Sequence, residues 1–307
     1  MDPKKENLAV TDSGALLYTE GLTKKYRETA ANDGITLSIP KGKITGFVGE
    51  NGSGKTTFIR TVCRLIFPTS GSFRFNTEDG KCRIAGIVET PSYHPNMSAT
   101  DNMRFQARLC GVNEKRIPEV LETVGLAGTG KKAAKRFSLG MRQRLGIGMA
   151  LLSDPEFLIL DEPTNGLDPQ GIVEMRGFLK SLCEEKKITL LISSHILSEL
   201  SLLAEHYIFI HKGRIVKSVS SEELFSGSAK QLRFTCEADA SAFLSEAEEK
   251  GWTERTGQRD GKNVLYGPKD YPAILGALSS LGVTDLETID DSLETRYMNI
   301  MEGGETK

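Results

Sequence analysis

Short apolar runs alternate with helix-period segments along the first two thirds of this chain. KITGFVG is apolar nearly throughout and predicts a buried strand, and TTFIRTVCRLI directly after the next turn predicts a helix. Phe157 to Leu160 is a second unbroken run, of the kind found in a central parallel strand covered on both faces. Leu145, Met149 and Leu152 recur at helical spacing. LLISSHILSELSLLA reads as strand, a polar SSH, then helix; HKGRIVKSVS reads as a final hairpin strand, and SSEELF as a capped helix start. Between these, NMRFQARLCGV and RIPEVLETVGL predict helices, the second with Pro118 in its first turn. The pattern then changes. QLRFTCE, DASAFLSEAEEKG, WTERTGQ, NVLYG, YPAILGALSSLG and VTDLETI follow the order β-α-β-β-α-β, as in a small ferredoxin-like α+β module. LETRYMNIME ends the chain as an amphipathic helix, and Trp252, in this module, is expected to pack in its core or at its edge.

The length, 307 residues, suits two domains. We place the first at residues 1–222 and the second at 223–307, with a helical subdomain at about 90–145 inside the first. Lys plus Arg number 39 against 41 Asp plus Glu, so no basic nucleic-acid footprint is present and no nucleic-acid partner is expected. No stretch approaches the ~18 apolar residues of a membrane span. MDPKKENLAV lacks the apolar core of a secretory signal. The five scattered cysteines contain no CxxC pair, which argues against a disulfide framework or zinc site and for a reducing compartment.

Chemistry enters at GENGSGKT, Gly49 to Thr56, a GxxxxGK[ST] motif between a predicted strand and a predicted helix. Gly49, Gly52 and Gly54 allow the tight backbone turn, and Asn51, Ser53 and Thr57 complete a cradle for a polyphosphate at the helix N-terminus. Lys55 can reach the β- and γ-phosphates, and Thr56 can ligate Mg²⁺. Asp161 and Glu162 end the apolar run of PEFLILDEPTNGLDP. A carboxylate at that strand tip can hold Mg²⁺ beside the phosphates, and Glu162 can polarise an attacking water. In FSLGMRQRLGIG, Ser138 is a plausible N-cap and Gly140 lies in the first turn of a second anion-facing helix start. Because the GENGSGKT loop already has its own helix, this second start is expected to serve a nucleotide held by another subunit.

Together these segments resemble the ATP-binding subunit of an ABC transporter, over roughly residues 15 to 220. The resemblance implies an α/β P-loop NTPase core with an antiparallel β subdomain and a helical subdomain, followed here by the small α+β module. It implies that Tyr26 stacks on adenine and that Ser138 and Gly140 stand for the signature sequence. Asp168 would make a contact across a dimer interface, and His195 would sense the γ-phosphate. It places catalysis on Glu162, His195 and Lys55, and metal binding on Thr56, Glu89 and Asp161. The implied cofactors are ATP and Mg²⁺. The implied partners are a second ATP-binding subunit, an identical copy, and a separate permease received by the Glu89 loop and helical subdomain at the cytoplasmic membrane face.

Two departures are informative. Glu89, in GIVETPSYHPNM, stands where most subfamilies carry glutamine, and Phe137 to Met141 replaces the common Leu-Ser-Gly-Gly-Gln. This combination is similar to the bacitracin-resistance and lantibiotic-immunity group, which implies export of antimicrobial or amphipathic peptides. The alternatives are an importer ATPase, a non-transport ABC ATPase, and a module that holds ATP without hydrolysis; Glu162 argues against the last. The C-terminal module carries no catalytic constellation and is expected to serve dimer contact or regulation.

Overall fold

The computed structural model describes residues 14–77, 81–225, 231–236, 239–259, 261–289 and 293–304. Strands β1 (Ala15–Tyr26) and β2 (Thr29–Pro40) form a hairpin, followed by β3 (Ile44–Val48), α1 (Lys55–Val62), β4 (Ser70–Phe75) and β5 (Ile84–Ile87). Helices α2 (Ala99–Cys110), α3 (Ile117–Thr123) and α4 (Leu139–Leu151) come next. The alternating run resumes with β6 (Phe157–Asp161), α5 (Pro169–Glu184), β7 (Thr189–Ser194), α6 (Leu197–Ser201), β8 (His206–His211), β9 (Arg214–Ser220) and α7 (Ser221–Phe225).

The apolar runs occupy the middle of a six-stranded sheet of order β5-β6-β7-β3-β8-β9. All its pairings are parallel except β8 with β9. Every residue of β3, β6 and β7 is buried, which is why these strands read as continuous apolar runs rather than alternating ones. A separate antiparallel sheet of order β2-β1-β4 supplies Leu17, Leu37, Ile39 and Phe75 to a core shared with Phe47, Phe58 and Phe157.

Two helix boundaries differ from the periodic reading. Helix α1 stops at Val62, because Arg64 turns into the left-handed region at φ 59° and ends the apolar run as a turn. Helix α2 starts at Ala99, ahead of the periodic stretch: Ser98 accepts a hydrogen bond from the Asp101 amide, and an acid in the first turn suits the helix dipole. Asn102, fully buried, explains how the preceding loop is held. Its side-chain amide donates to the carbonyls of His94, Met97 and Ser98, and its oxygen accepts from the His94 amide.

The chain divides into two compact units, one running to Ser221 and taking in Ile300, the other running Glu222–Asn299. The second contains β10 (Gln231–Cys236), α8 (Ser241–Glu249), β11 (Arg255–Arg259), β12 (Lys262–Tyr266), α9 (Tyr271–Leu278) and β13 (Val283–Ile289), with α10 (Leu293–Gly304) closing the described chain. Its sheet is antiparallel in the order β11-β12-β10-β13, so β12 separates the two strands that α8 joins. Leu232, Phe234, Phe243, Leu265, Ile274 and Leu278 form its core. Trp252 packs against that core half-buried, with the Lys250 ammonium 4.9 Å from its ring centre. The five cysteines are free thiols, and burial pushes those of Cys63, Cys82 and Cys183 up to about 11. Among the described residues, no helix is long and apolar enough to cross a membrane.

His206 opens β8 at 4 % exposure, its Nε2 3.0 Å from Ser218 Oγ. Burial, and then the Lys43 charge, push its pKa down to about 4. The folded ring therefore stays neutral where the unfolded chain already takes up a proton, below about pH 6.5. The stability it carries is complete above about pH 6.5 and is lost as pH falls towards about 4, a loss of order 3 kcal/mol. In urea unfolding at about pH 7.5 and about pH 5, wild type should lose roughly 2 kcal/mol more than His206→Gln on acidification. Equal losses in the two proteins would sink this assignment.

Candidate nucleotide-binding and hydrolysis site

The carboxyl ends of β6, β7 and β3 lie side by side, and the segments leaving β3, β5 and β6 line one cavity of about 580 Å³. Ligands of open α/β sheets bind at this edge, where the chain leaves the strands as loops. The loop from β3 to α1 supplies Asn51, Gly52, Gly54, Lys55, Thr56 and Thr57 to the lining. Its turn is possible only with glycine at two points. At Gly54 (φ 109°) an added Cβ would stand 2.4 Å from the Ala31 carbonyl oxygen. At Gly49 it would stand 2.5 Å from the Ile210 carbonyl oxygen and 2.6 Å from Ser53 Oγ. Ser53 Oγ is buried without a hydrogen-bond partner, so the loop carries one polar atom of unused capacity.

Lys55 is 6 % exposed and its ammonium donates to the carbonyls of Gly49 (2.7 Å) and Glu50 (3.0 Å). Burial lowers its pKa, opposed by the charges of Glu162, Asp161 and Glu50. Thr56 Oγ1 donates to Asp161 Oδ2 at 3.0 Å, and Ser193 Oγ donates to Asp161 Oδ1. Asp161 and Ser193 are register partners on β6 and β7, so the hydroxyl is delivered by strand pairing. The same Ser193 accepts from the Glu162 amide at both its hydroxyl and its carbonyl, 3.1 Å each. Glu162 sits at φ 51°, uncommon for a residue with a side chain, and its Oε2 lies 2.8 Å from His195 Nδ1.

The structure thus links Thr56, Asp161, Glu162 and His195 through Ser193, with the Lys55 charge close enough to feel Asp161 and Glu162. Ser193 and Gln143 join the neighbourhood without having been picked out from the sequence; only the polar SSH at the strand end hinted at Ser193. Other expected residues lie elsewhere. Tyr26 is 48 % exposed with the Lys24 ammonium 5.4 Å from its ring centre, and it does not line the cavity. Ser138 is exposed and caps α4 by accepting from the Met141 amide at 3.2 Å. Gly140 faces Leu167 rather than the cavity. Asp168 caps α5 through the Gly171 amide at 3.2 Å, while Asn165 of the same turn lines the cavity. Glu89 lines the cavity too, but its carboxylate is bound to Arg60 at 2.7 Å and not to Thr56 or Asp161.

Among the described residues, no group of three or more His, Cys, Asp or Glu is gathered as a metal cage. What the site offers is hard oxygens, Thr56 Oγ1 and Asp161 Oδ2, beside a phosphate-shaped loop. That fits Mg²⁺, which is ordinarily held by one or two protein oxygens plus phosphates and water. Removing the Ser193 hydroxyl should free Asp161 to rotate and unpin the Glu162 amide. Ser193→Ala should lower ATP turnover by about tenfold while ATP affinity stays within about twofold, the pattern of a lost transition-state contact. Unaltered turnover in steady-state assays would contradict this role.

The ABC transporter family model matches residues 32–165, covering the GENGSGKT loop through the Asp161–Glu162 turn. The bacitracin transport ATP-binding protein BcrA of Bacillus licheniformis is 39 % identical over 94 % of this chain and 98 % of its own length. The lantibiotic transport ATP-binding protein SrtF of Streptococcus pyogenes is 42 % identical over 69 % of this chain and 96 % of its own. Among solved structures, cbiO1 of Clostridium perfringens, part of the ABC transporter complex cbiONQ, superposes with a TM-score of 0.63 at 25 % identity, covering 77 % of this chain and 96 % of that one. The loop, the carboxylate pair and this full-length similarity agree: the chain belongs to the ABC transporter family, among its ATP-binding ATPase subunits.

Proposed function

We infer that the protein hydrolyses ATP to drive a separate membrane permease that exports antimicrobial or amphipathic peptides. The observation that carries the peptide class is the match to a bacitracin transport subunit along nearly the whole of both chains, C-terminal module included. The chemistry is that of phosphoryl transfer to water, which needs positioning and charge stabilisation rather than a covalent intermediate. The amides of the Gly49–Thr56 loop and the Lys55 ammonium bind the phosphates, drawing Lys55 from the Gly49 and Glu50 carbonyls it now holds. Thr56 and Asp161 would hold Mg²⁺, which would supply positive charge to offset that of the phosphates. Glu162 orients the attacking water and accepts its proton. His195 keeps Glu162 aligned through Nδ1 and offers Nε2 to the γ-phosphate.

The exposed Ser138 cap and Gly140 serve the nucleotide of a second, identical copy, so that two ATP molecules are closed between two chains. Asp168 and its turn lie at that interface, and Tyr26 swings to the adenine. The Glu89 loop and residues of the helical subdomain at about 90–145 receive the permease, placing the protein peripherally at the cytoplasmic membrane face. Residues 1–222 are the ATPase domain, and residues 223–307 contribute dimer contact or regulation.

Two experiments check this reading. Glu162→Gln should cut turnover by at least about a hundredfold while retaining ATP, and should accumulate an ATP-bound dimer in size-exclusion chromatography; equal turnover in the two proteins would remove Glu162 from the chemistry. Deleting residues 226–307 should weaken ATP-driven dimerisation or change turnover. If dimerisation, turnover and transport all stayed as in the full chain, the module would have neither role.

A further inference from the structure

Arg60 and Glu89 form an ion pair for which the hydrolytic chemistry has no evident use. Arg60 Nη2 lies 2.7 Å from Glu89 Oε1, with the two side chains 40 % and 62 % exposed. Arg60 belongs to α1, the helix that rises from the phosphate loop. Glu89 belongs to the loop after β5, and its backbone occupies the left-handed region at φ 64°, a conformation that a residue with a side chain adopts only when its surroundings impose it. Those surroundings are visible on both sides. Arg60 holds the side chain. Two residues on, Pro91 is seated in a notch on α4 that exists only because residue 146 is glycine: a Cβ there would stand 2.4 Å from Pro91 Cβ and 2.9 Å from its Cγ. Helix α4 is the one that Ser138 caps. A continuous line of contacts therefore runs from the phosphate-loop helix through Arg60, Glu89 and Pro91 to the helix whose start presents Ser138.

Glu89 also lines the same cavity as Thr56 and Asp161. Its carboxylate thus has two calls on it: the guanidinium that holds it now, and the oxygen-ligated cation expected at Thr56 and Asp161. An exposed pair is worth about 1 kcal/mol at most, so it holds the loop without locking it, and a divalent cation can compete. We propose that Arg60 is a positioning residue: it latches Glu89 and its loop to α1, and cation binding at the nucleotide site releases the latch, moving the loop and, through the Pro91–Gly146 contact, helix α4. A glutamine at position 89 could accept from Arg60 but not pair ionically with it, and its neutral oxygen is a weaker cation ligand, which gives the carboxylate a purpose of its own.

The inference rests on the reading of this cavity as an Mg²⁺-nucleotide site, and the test separates the two. In nucleotide-free protein, hydrogen exchange of the amides of residues 89–97 reports the latch without any turnover. Arg60→Gln should speed that exchange several-fold, and raising salt should do the same to wild type but not to Arg60→Gln, because exposed pairs are screened. Calorimetric titration of Mg²⁺ into ADP-loaded protein reports the competition. Arg60→Gln should tighten Mg²⁺ by up to about fivefold, the ratio that about 1 kcal/mol supplies, and Arg60→Lys should stay near wild type. In a Glu89→Gln background Arg60→Gln should change nothing, whereas a general field effect of the lost charge would persist there. Unchanged loop exchange in Arg60→Gln, or additive effects of the two substitutions on Mg²⁺ affinity, would overturn the latch. A wild type that binds no ADP and hydrolyses no ATP would overturn the functional reading instead, leaving the exchange result to stand.

Discussion

The site depends on one buried carboxylate and the hydroxyls that satisfy it. Asp161 is 5 % exposed at the end of a strand covered on both faces. A carboxylate in such a place is costly unless its oxygens accept hydrogen bonds. Ser193 and Thr56 provide them, one from the neighbouring strand β7 and one from the first turn of α1. Three elements far apart in the chain must therefore be in register before the group is tolerated. The requirement that makes the fold cooperative here also sets the phosphate loop, the acid pair and the β7 end against one another.

Several residues with left-handed backbone line the same cavity. Gly54 takes a φ that only glycine adopts freely, while Glu162 and Glu89 take left-handed values despite carrying side chains. Each is held by something specific: Glu162 by the double acceptor Ser193 and by His195, Glu89 by Arg60 and the seated Pro91. Residues held in this way give a single geometry to groups that must act together, and they can shift when a ligand changes the balance. The Lys55 ammonium, resting on two loop carbonyls, is poised in the same sense, since phosphate oxygens offer it better partners.

The remaining expected residues have partners of their own outside the cavity. Ser138 is exposed and caps its own helix, and Gly140 and Asp168 are not among the residues lining the cavity. A capped helix start turned to solvent is the feature on which the proposed pairing with a second copy rests. The C-terminal module, by contrast, has its own core around Phe234 and Phe243. Its β-α-β-β-α-β order was legible because each of its elements has a clear period and short turns.

Local chemistry was readable wherever it is a property of consecutive residues. GENGSGKT, the unbroken apolar runs of β3 and β6, the Asp161–Glu162 ending and the Ser138 cap each follow from a backbone preference or from burial on both faces of a strand. Side-chain partnerships across the chain were not. Nothing in the spacing of Ser193 and Asp161 reveals that β6 and β7 pair in the register that joins them. No local rule directs His195 to Glu162 or sends Glu89 to Arg60 rather than to Thr56. Such contacts are set by strand order, by the turn each helix makes as it leaves the sheet, and by close approaches such as Pro91 on Gly146. The sequence by itself determined which groups are suited to bind phosphate and activate water, because that suitability is fixed by residue type and local backbone. Only the tertiary structure decided which of them touch, because that depends on register and packing summed over the whole sheet.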